Sequence, residues 1–260
     1  LRSAPAIRQA VSLLRRGAIG DLREARGICH RWRGAAGRGR IERVPDHIRY
    51  DLWLGPARAR PYAPALLRGG WRRHWDFGSG ELGGDGVRHA DLCIWGLGLD
   101  ALPSRVSATG GRFLWDDGGE TPEFLSCLYT YPDRDVTIRL ELRPWSADRA
   151  DGTGAGITFY GTDGRLVIEG PTRYALYHGR TREPGPRAEF DEADHFANFI
   201  AAVRARDARL LHAPPETARL ASALACLGAI SYRVCHPLEF DPRAERFPHD
   251  AEADALLTRA

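Results

Sequence analysis

The chain has 260 residues, 43% hydrophobic and 27% charged, with a formal charge of +3, the proportions of a soluble globular protein long enough for one large domain or two small ones. No apolar run approaches the roughly 20 residues that a membrane-spanning helix needs, and so small a net charge makes no electrostatic case for nucleic acid. All 37 basic residues are arginine, which rules out Schiff-base lysines, a P-loop lysine and a lysine general acid.

Ser3 and Pro5 open a first expected helix, with Ala6, Ile7, Ala10, Val11 and Leu14 as its apolar stripe and Gly17 as its end. Asp21 to Trp32 reads as a strand. Arg31 to Arg43 is a Gly- and Arg-rich loop; without interleaved aromatics it reads as solvated chain and not as an RNA platform. Val44 to Gly84 has no period and many Trp, Pro and Gly residues, the marks of a long ordered loop. A helix from about Gly86 to Leu97 follows, buried through Val87, Ile94, Trp95 and Leu97.

Beyond Pro103 short strands are expected at Arg105–Leu114, Phe124–Tyr131, Val136–Trp145, Ile157–Tyr160, Leu166–Glu169 and Tyr174–His178. Strict alternation from Val136 gives that strand one apolar and one charged face, as in an antiparallel sheet covered on one side. Asp163-Gly164 is expected to supply the positive φ of a hairpin turn. Helices at Asp191–Arg206, Pro215–Cys235 and Asp250–Arg259 close the chain, with Phe196, Phe199, Ile200 and Val203 as the core face of the first. The fold class is therefore α+β, a large, mostly antiparallel open sheet with helices on one face.

Asp85 and His89 stand four residues apart, so a helix projects them from one face in a proton-relay arrangement; the plain alternative is an acidic first turn and a packed histidine. Gly78-Ser-Gly80-Glu-Leu-Gly83 matches the G-x-G-x-x-G pattern, yet Trp71 to Phe77 before it is no buried strand, which argues against a dinucleotide fingerprint. His89 and Cys93 have a spacing zinc can use, but further ligands are not at a recognisable spacing, and no metal site is assigned. Trp53, Trp71, Trp75 and Trp95 offer a sugar-stacking platform or simply core. The five scattered cysteines read as free buried thiols in a reducing, cytoplasmic setting.

Several separated segments carry a family resemblance. Leu1-Arg-Ser-Ala-Pro with Gly17-Ala-Ile-Gly20, Tyr50 to Ala57, Trp71 to Gly80, Phe159 to Gly164, and Glu252 to Arg259 resemble the C-terminal part of the Gfo/Idh/MocA family, named for glucose-fructose oxidoreductase and inositol dehydrogenase. The resemblance implies residues 1–20 as the helix leaving a Rossmann domain, and 21–260 as a substrate-binding and oligomerisation domain. A chain that begins at Leu1 without methionine reads as a piece lacking that Rossmann half and any export signal.

The resemblance further implies NAD or NADP for the parent enzyme, with none held tightly by this chain alone, and Arg2 as a cofactor contact. The ligand implied is a small sugar or polyol, and the partner a second copy across the sheet face. Arg88, Trp71, Arg72, Trp75 and Trp53 are the substrate-side residues, with His89 as base and Asp85 orienting it. The family's active-site pattern, anchored on Gly86 and Asp91, places Gly84 and Arg88 where an acid and the histidine are usual; Asp85 and His89 keep the spacing one residue later, about 100° around a helix. Either the helix start is re-registered or Arg88 replaces the histidine. The reading is a substrate-binding domain of an NAD(P)-dependent sugar or polyol oxidoreductase, inactive by itself; the alternative is a non-catalytic sugar-binding or scaffolding protein. A hydrolase built on Asp85 and His89 lacks a nucleophile motif.

Overall fold

The computed structural model describes residues 1–30, 34–35, 37, 39–143, 156–186 and 188–258, so parts of the Arg31–Arg43 loop, Trp32, Trp145 and Arg259 lie outside the described residues. Nine strands form one sheet: β1 (Leu22–Cys29), β2 (Arg105–Gly111), β3 (Phe124–Tyr131), β4 (Val136–Leu142), β5 (Ile157–Gly161), β6 (Arg165–Gly170), β7 (Arg173–His178), β8 (Thr181–Pro184) and β9 (Leu238–Glu239). Their order is β8-β7-β6-β5-β1-β4-β3-β2-β9. β1 and β4 run parallel and the other paired strands antiparallel, as the α+β reading requires.

Period-two alternation sets the register. Leu125, Cys127 and Tyr129 of β3 stand opposite Leu142, Leu140 and Ile138 of β4, and Ala25, Gly27 and Cys29 of β1 continue the same face beyond β4. All of these are buried, and each large side chain among them contributes about 1.5–3 kcal/mol of burial. Three helices cover that face: α1 (Pro5–Arg15), α4 (Val87–Leu97) and α6 (Pro215–Val234). Gly96 lets α4 sit so close that a Cβ there would fall inside the Phe159 ring. Tyr129 Oη donates to the Leu224 carbonyl at 2.7 Å, which ties α6 to the sheet without leaving a buried hydroxyl unpaired. The opposite face carries Glu24, Arg26, Arg139 and Glu141, paired across strands as Arg26–Glu141 (3.1 Å) and Arg139–Glu24 (3.3 Å).

Several expectations need correction. Ser3 does not cap α1; its hydroxyl lies 2.7 Å from His195 Nδ1 and 2.9 Å from His212 Nδ1. Neither Asp163 nor Gly164 takes a positive φ, because residues 19–21 hold that turn instead, through Thr162 N–H to Asp21 O and Asp163 N–H to Ile19 O, each 3.0 Å. α5 (Glu192–Ala205) does not bury its stripe: Phe196, Phe199, Ile200 and Val203 are 65%, 57%, 47% and 57% exposed. The reason is competition for the sheet, whose helical face is already filled by α1, α4 and α6, leaving α5 against the short turn Ala208–Leu210. α7 is shorter than expected (Ala251–Ala255), and the hairpin strand β8 and the edge strand β9 add to the strands expected. Cys226 and Cys235 are exposed, unlike the buried Cys29, Cys93 and Cys127.

Candidate active site

Val44 to Gly84 is an ordered loop punctuated by single turns: α2 (Tyr50–Leu54), α3 (Pro64–Leu67) and a 3-10 turn at Gly70–Arg73. It leads into a π-turn at Leu82–Gly86, where three glycines permit the wider winding, and then directly into α4. A π-turn accommodates one extra residue per turn, so the one-residue shift in the sequence pattern falls where the backbone itself departs from α geometry. Asp85 is buried at the end of this turn, and its carboxylate meets Arg88 Nη2 at 3.3 Å.

Arg88 and His89 then diverge. The Arg88 side chain is 64% exposed, whereas His89 turns toward β1. Its Cβ occupies the space above Gly27, where an alanine Cβ would come within 2.8 Å of it. Nδ1 lies 3.0 Å from the Asp85 carbonyl oxygen and 2.8 Å from Cys29 Sγ. Burial, the largest influence, lowers the His89 pKa; Asp85 opposes this and Arg88 reinforces it. Burial likewise pushes the Cys29 thiol well up, so neither group is charged at neutral pH. Among the contacts of the pair, it is the Asp85 backbone carbonyl that receives the His89 ring nitrogen.

The loop beside α4 is stitched to the β2–β3 connection by a charge network that motif spacing could not reveal. Arg73 and Arg112 share the buried carboxylate of Asp117, with Arg112 at 2.6 Å. Glu123 accepts the backbone N–H groups of Phe113, Leu114 and Trp115 at 2.8, 2.8 and 3.0 Å. Glu120 takes His74 Nδ1 and Trp75 N–H, both at 2.9 Å; burial alone would raise its carboxyl, but these contacts and Arg60 outweigh it and hold the pKa down. Two open hollows flank this network. One, of about 230 Å³, is lined by Arg60, Leu66, Arg73, His74 and Asp117 among others; the second, of about 550 Å³, is bounded by Gly34, Arg68, Arg72, Arg73 and Glu81. The second hollow reaches Glu81, the residue before the π-turn, whereas Asp85, Arg88 and His89 line neither hollow.

The aromatic residues do not share one platform. Trp53 stacks on Tyr50 at 5.7 Å and touches Phe77 at 4.9 Å, in a small core of the loop. Trp75 packs on Tyr232 of α6 under Arg233, Arg72 lies over Trp71, and Trp95 lies under Arg2. Arg2 is buried and grips Asp91 of α4 through Nε and Nη2, both at 2.9 Å. Thus Arg72 lines the larger hollow; Asp85, Arg88 and His89 cluster at the start of α4; Arg2, Trp53 and Trp75 each belong to packing contacts elsewhere. Gly78 to Gly83 follows a 3-10 turn and enters the π-turn, so these residues do not fit a dinucleotide's pyrophosphate, which needs a strand before the glycines. Among the described residues no three His, Cys, Asp or Glu side chains gather into a group that could hold a metal ion.

Residues 27–134, which run from the His89-facing end of β1 through the loop, α4 and β3, match the family model described as the oxidoreductase family, C-terminal alpha/beta domain, of Gfo/Idh/MocA type. This segment is similar to the C-terminal domain of the Gfo/Idh/MocA oxidoreductases. No curated protein matches it in sequence. Among solved structures, the chain is similar to an oxidoreductase from Thermotoga maritima (TM-score 0.58, 18% identity), with 92% of this chain and 60% of that chain covered. It is also similar to aldose-aldose oxidoreductase from Caulobacter crescentus, solved with glycerol (TM-score 0.60, 13% identity, 92% and 62% covered). A third is an oxidoreductase from Agrobacterium radiobacter in complex with NAD+, L-tartaric acid and magnesium (TM-score 0.58, 11% identity, 92% and 63% covered). At these identities the likeness speaks for the fold, and the chain spans about three fifths of the length of the structures it matches.

Proposed function

We propose that these 260 residues form the substrate-binding side of a nicotinamide-dependent oxidoreductase acting on a sugar or polyol, with residues 1–20 as the approach from a nucleotide-binding domain and 21–260 as the substrate domain. The observation that carries the reading is His89, uncharged and held by a backbone carbonyl at the start of α4, in a segment that matches this family's C-terminal domain, with an arginine-bordered hollow reaching Glu81 ahead of the π-turn. An uncharged imidazole is ready to take a proton from a carbinol hydroxyl, and its depressed pKa keeps it so at neutral pH. In this reading Arg68 and Arg72 of the hollow border the sugar, with Trp71 under Arg72 and the exposed Arg88 as a further substrate-side cation. The nicotinamide dinucleotide, NAD or NADP, supplies hydride chemistry from a separate domain, since the glycines of this chain form no cradle for it. The glycerol of one fold relative and the NAD+ of another agree with both assignments. By itself the chain takes up the sugar without turning it over, and the charged face of the sheet pairs with a second copy.

A second reading, a non-catalytic carbohydrate-binding domain, is favoured by one observation: Arg88 has the solvent access and His89 is turned toward the sheet. Titration of the chain with a panel of polyols and aldoses, followed by tryptophan fluorescence, tests the shared part of both readings. Saturable quenching, lost in Arg72→Ala, is expected; no response to any member of the panel counts against a carbohydrate site.

A further inference from the structure

Cys29 is a buried nucleophilic group that the proposed chemistry leaves unused, yet it touches the ring on which that chemistry rests. Its sulfur lies 2.8 Å from His89 Nδ1 and 3.7 Å from Nε2, so it faces one edge of the imidazole. The Asp85 carbonyl, 3.0 Å from the same Nδ1, can only accept. The proton must therefore sit on Nδ1, shared between the carbonyl oxygen and a sulfur lone pair, and Nε2 carries the ring's in-plane lone pair. Gly27 completes the clamp from below, because any side chain there would push His89 off its seat. The opposite arrangement, a thiolate–imidazolium nucleophile, is excluded by burial, which raises the thiol and lowers the imidazole. The charged and titratable groups near the pair are Asp85 and Arg88 on the α4 side, Glu81 before the π-turn and Cys93 one turn further along α4.

We infer that Cys29 is a positioning residue: it locks the His89 ring, with Gly27 and the Asp85 carbonyl, as the Nδ1–H tautomer, so that Nε2 is the atom that accepts a proton. The inference rests on the reading of His89 as the base for its functional meaning, but the tautomer itself is a property of the chain as it stands.

The test is a long-range proton–nitrogen correlation spectrum of the chain with 15N-labelled histidine, recorded across pH with His89 assigned by its loss in His89→Gln. The wild type should show Nδ1 protonated and Nε2 unprotonated above the His89 midpoint. Cys29→Ala should free the ring, reducing that preference by up to about tenfold, the worth of one hydrogen bond. Cys29→Ser, which restores a small polar atom, should recover most of the preference. A wild type protonated on Nε2 overturns the inference without need of any variant, and so does a folded Cys29→Ala with an unchanged tautomer preference. An intact Nδ1–H tautomer, with no loss of turnover in His89→Ala once the chain is joined to a nucleotide-binding domain, would instead sink the functional reading and leave the clamp standing.

Discussion

At the scale of single residues, two positions around His89 concentrate the physics of the site. Gly27 is glycine because β1 must pass under α4 with the His89 Cβ and the Leu140 side chain both within 2.9 Å of where a Cβ would lie. Gly27→Ala should cost about 1–3 kcal/mol, the usual range for overpacking a close contact, and urea denaturation at constant m-value measures it. His89 itself should shape the pH dependence of stability. Its folded-state pKa lies below the unfolded value near 6.5, so the unfolded chain binds the proton more readily. The contribution is therefore fully present above pH 6.5 and is lost as the pH falls through the depressed folded value. Comparing melts of the wild type and His89→Gln from neutral to acid pH should show the wild type's advantage shrinking as the pH falls through that range; a constant difference would rule the buried neutral imidazole out.

At the scale of elements, α5 and the α6–α7 corner behave differently from what their sequences suggest. The Phe196, Phe199, Ile200 and Val203 stripe has helical spacing but stays open, so Phe199→Ser should alter stability by less than about 0.5 kcal/mol. Phe159→Ala, beneath Gly96, should cost about 3–5 kcal/mol. Equal costs in thermal melts would mean that α5 is buried after all. At the corner, His236 Nε2 and Asp250 Oδ2 stand 2.5 Å apart, and Asp250 also caps α7 through the Ala253 N–H. The pair raises the His236 pKa, and the Ala253 N–H and His236 together lower that of Asp250. The histidine's stabilisation is present below its unfolded pKa and fades as pH rises through the raised folded value; that of Asp250 fades as pH falls through the depressed one. Protection of the α7 amides, taken relative to their intrinsic base-catalysed exchange, should thus fall toward alkaline pH, and His236→Ala should remove that fall.

For the molecule as a whole, the sheet was legible because strand pairing in Phe124–Tyr131 and Val136–Leu142 is written in strict alternation, each buried face fixed by a two-residue period. The start of α4 was legible in residue type but not in direction: spacing put Asp85 and His89 on one face, whereas the π-turn before α4 decides which side chain meets Gly27 and which meets solvent. The partners of that histidine were illegible for another reason. Cys29 lies 60 residues before it, and the Arg73–Asp117 and His74–Glu120 contacts join segments that are far apart in the chain, so local pattern carries no trace of them. α5 misled because periodicity reports a helical stripe and says nothing of whether a surface remains to receive it.

The central claim is that His89, and not the exposed Arg88, handles the proton of a sugar or polyol. It is tested most directly by joining the chain to a nucleotide-binding domain of the same family, supplying NAD+ or NADP+ and the polyol that quenches the wild-type chain most strongly, and following reduced nicotinamide by absorbance. The account predicts that His89→Ala lowers kcat by about 10²-fold or more with the fold intact, as loss of a general base does, while Arg88→Ala acts mainly on KM. Turnover that survives His89→Ala unchanged and disappears with Arg88→Ala would contradict it.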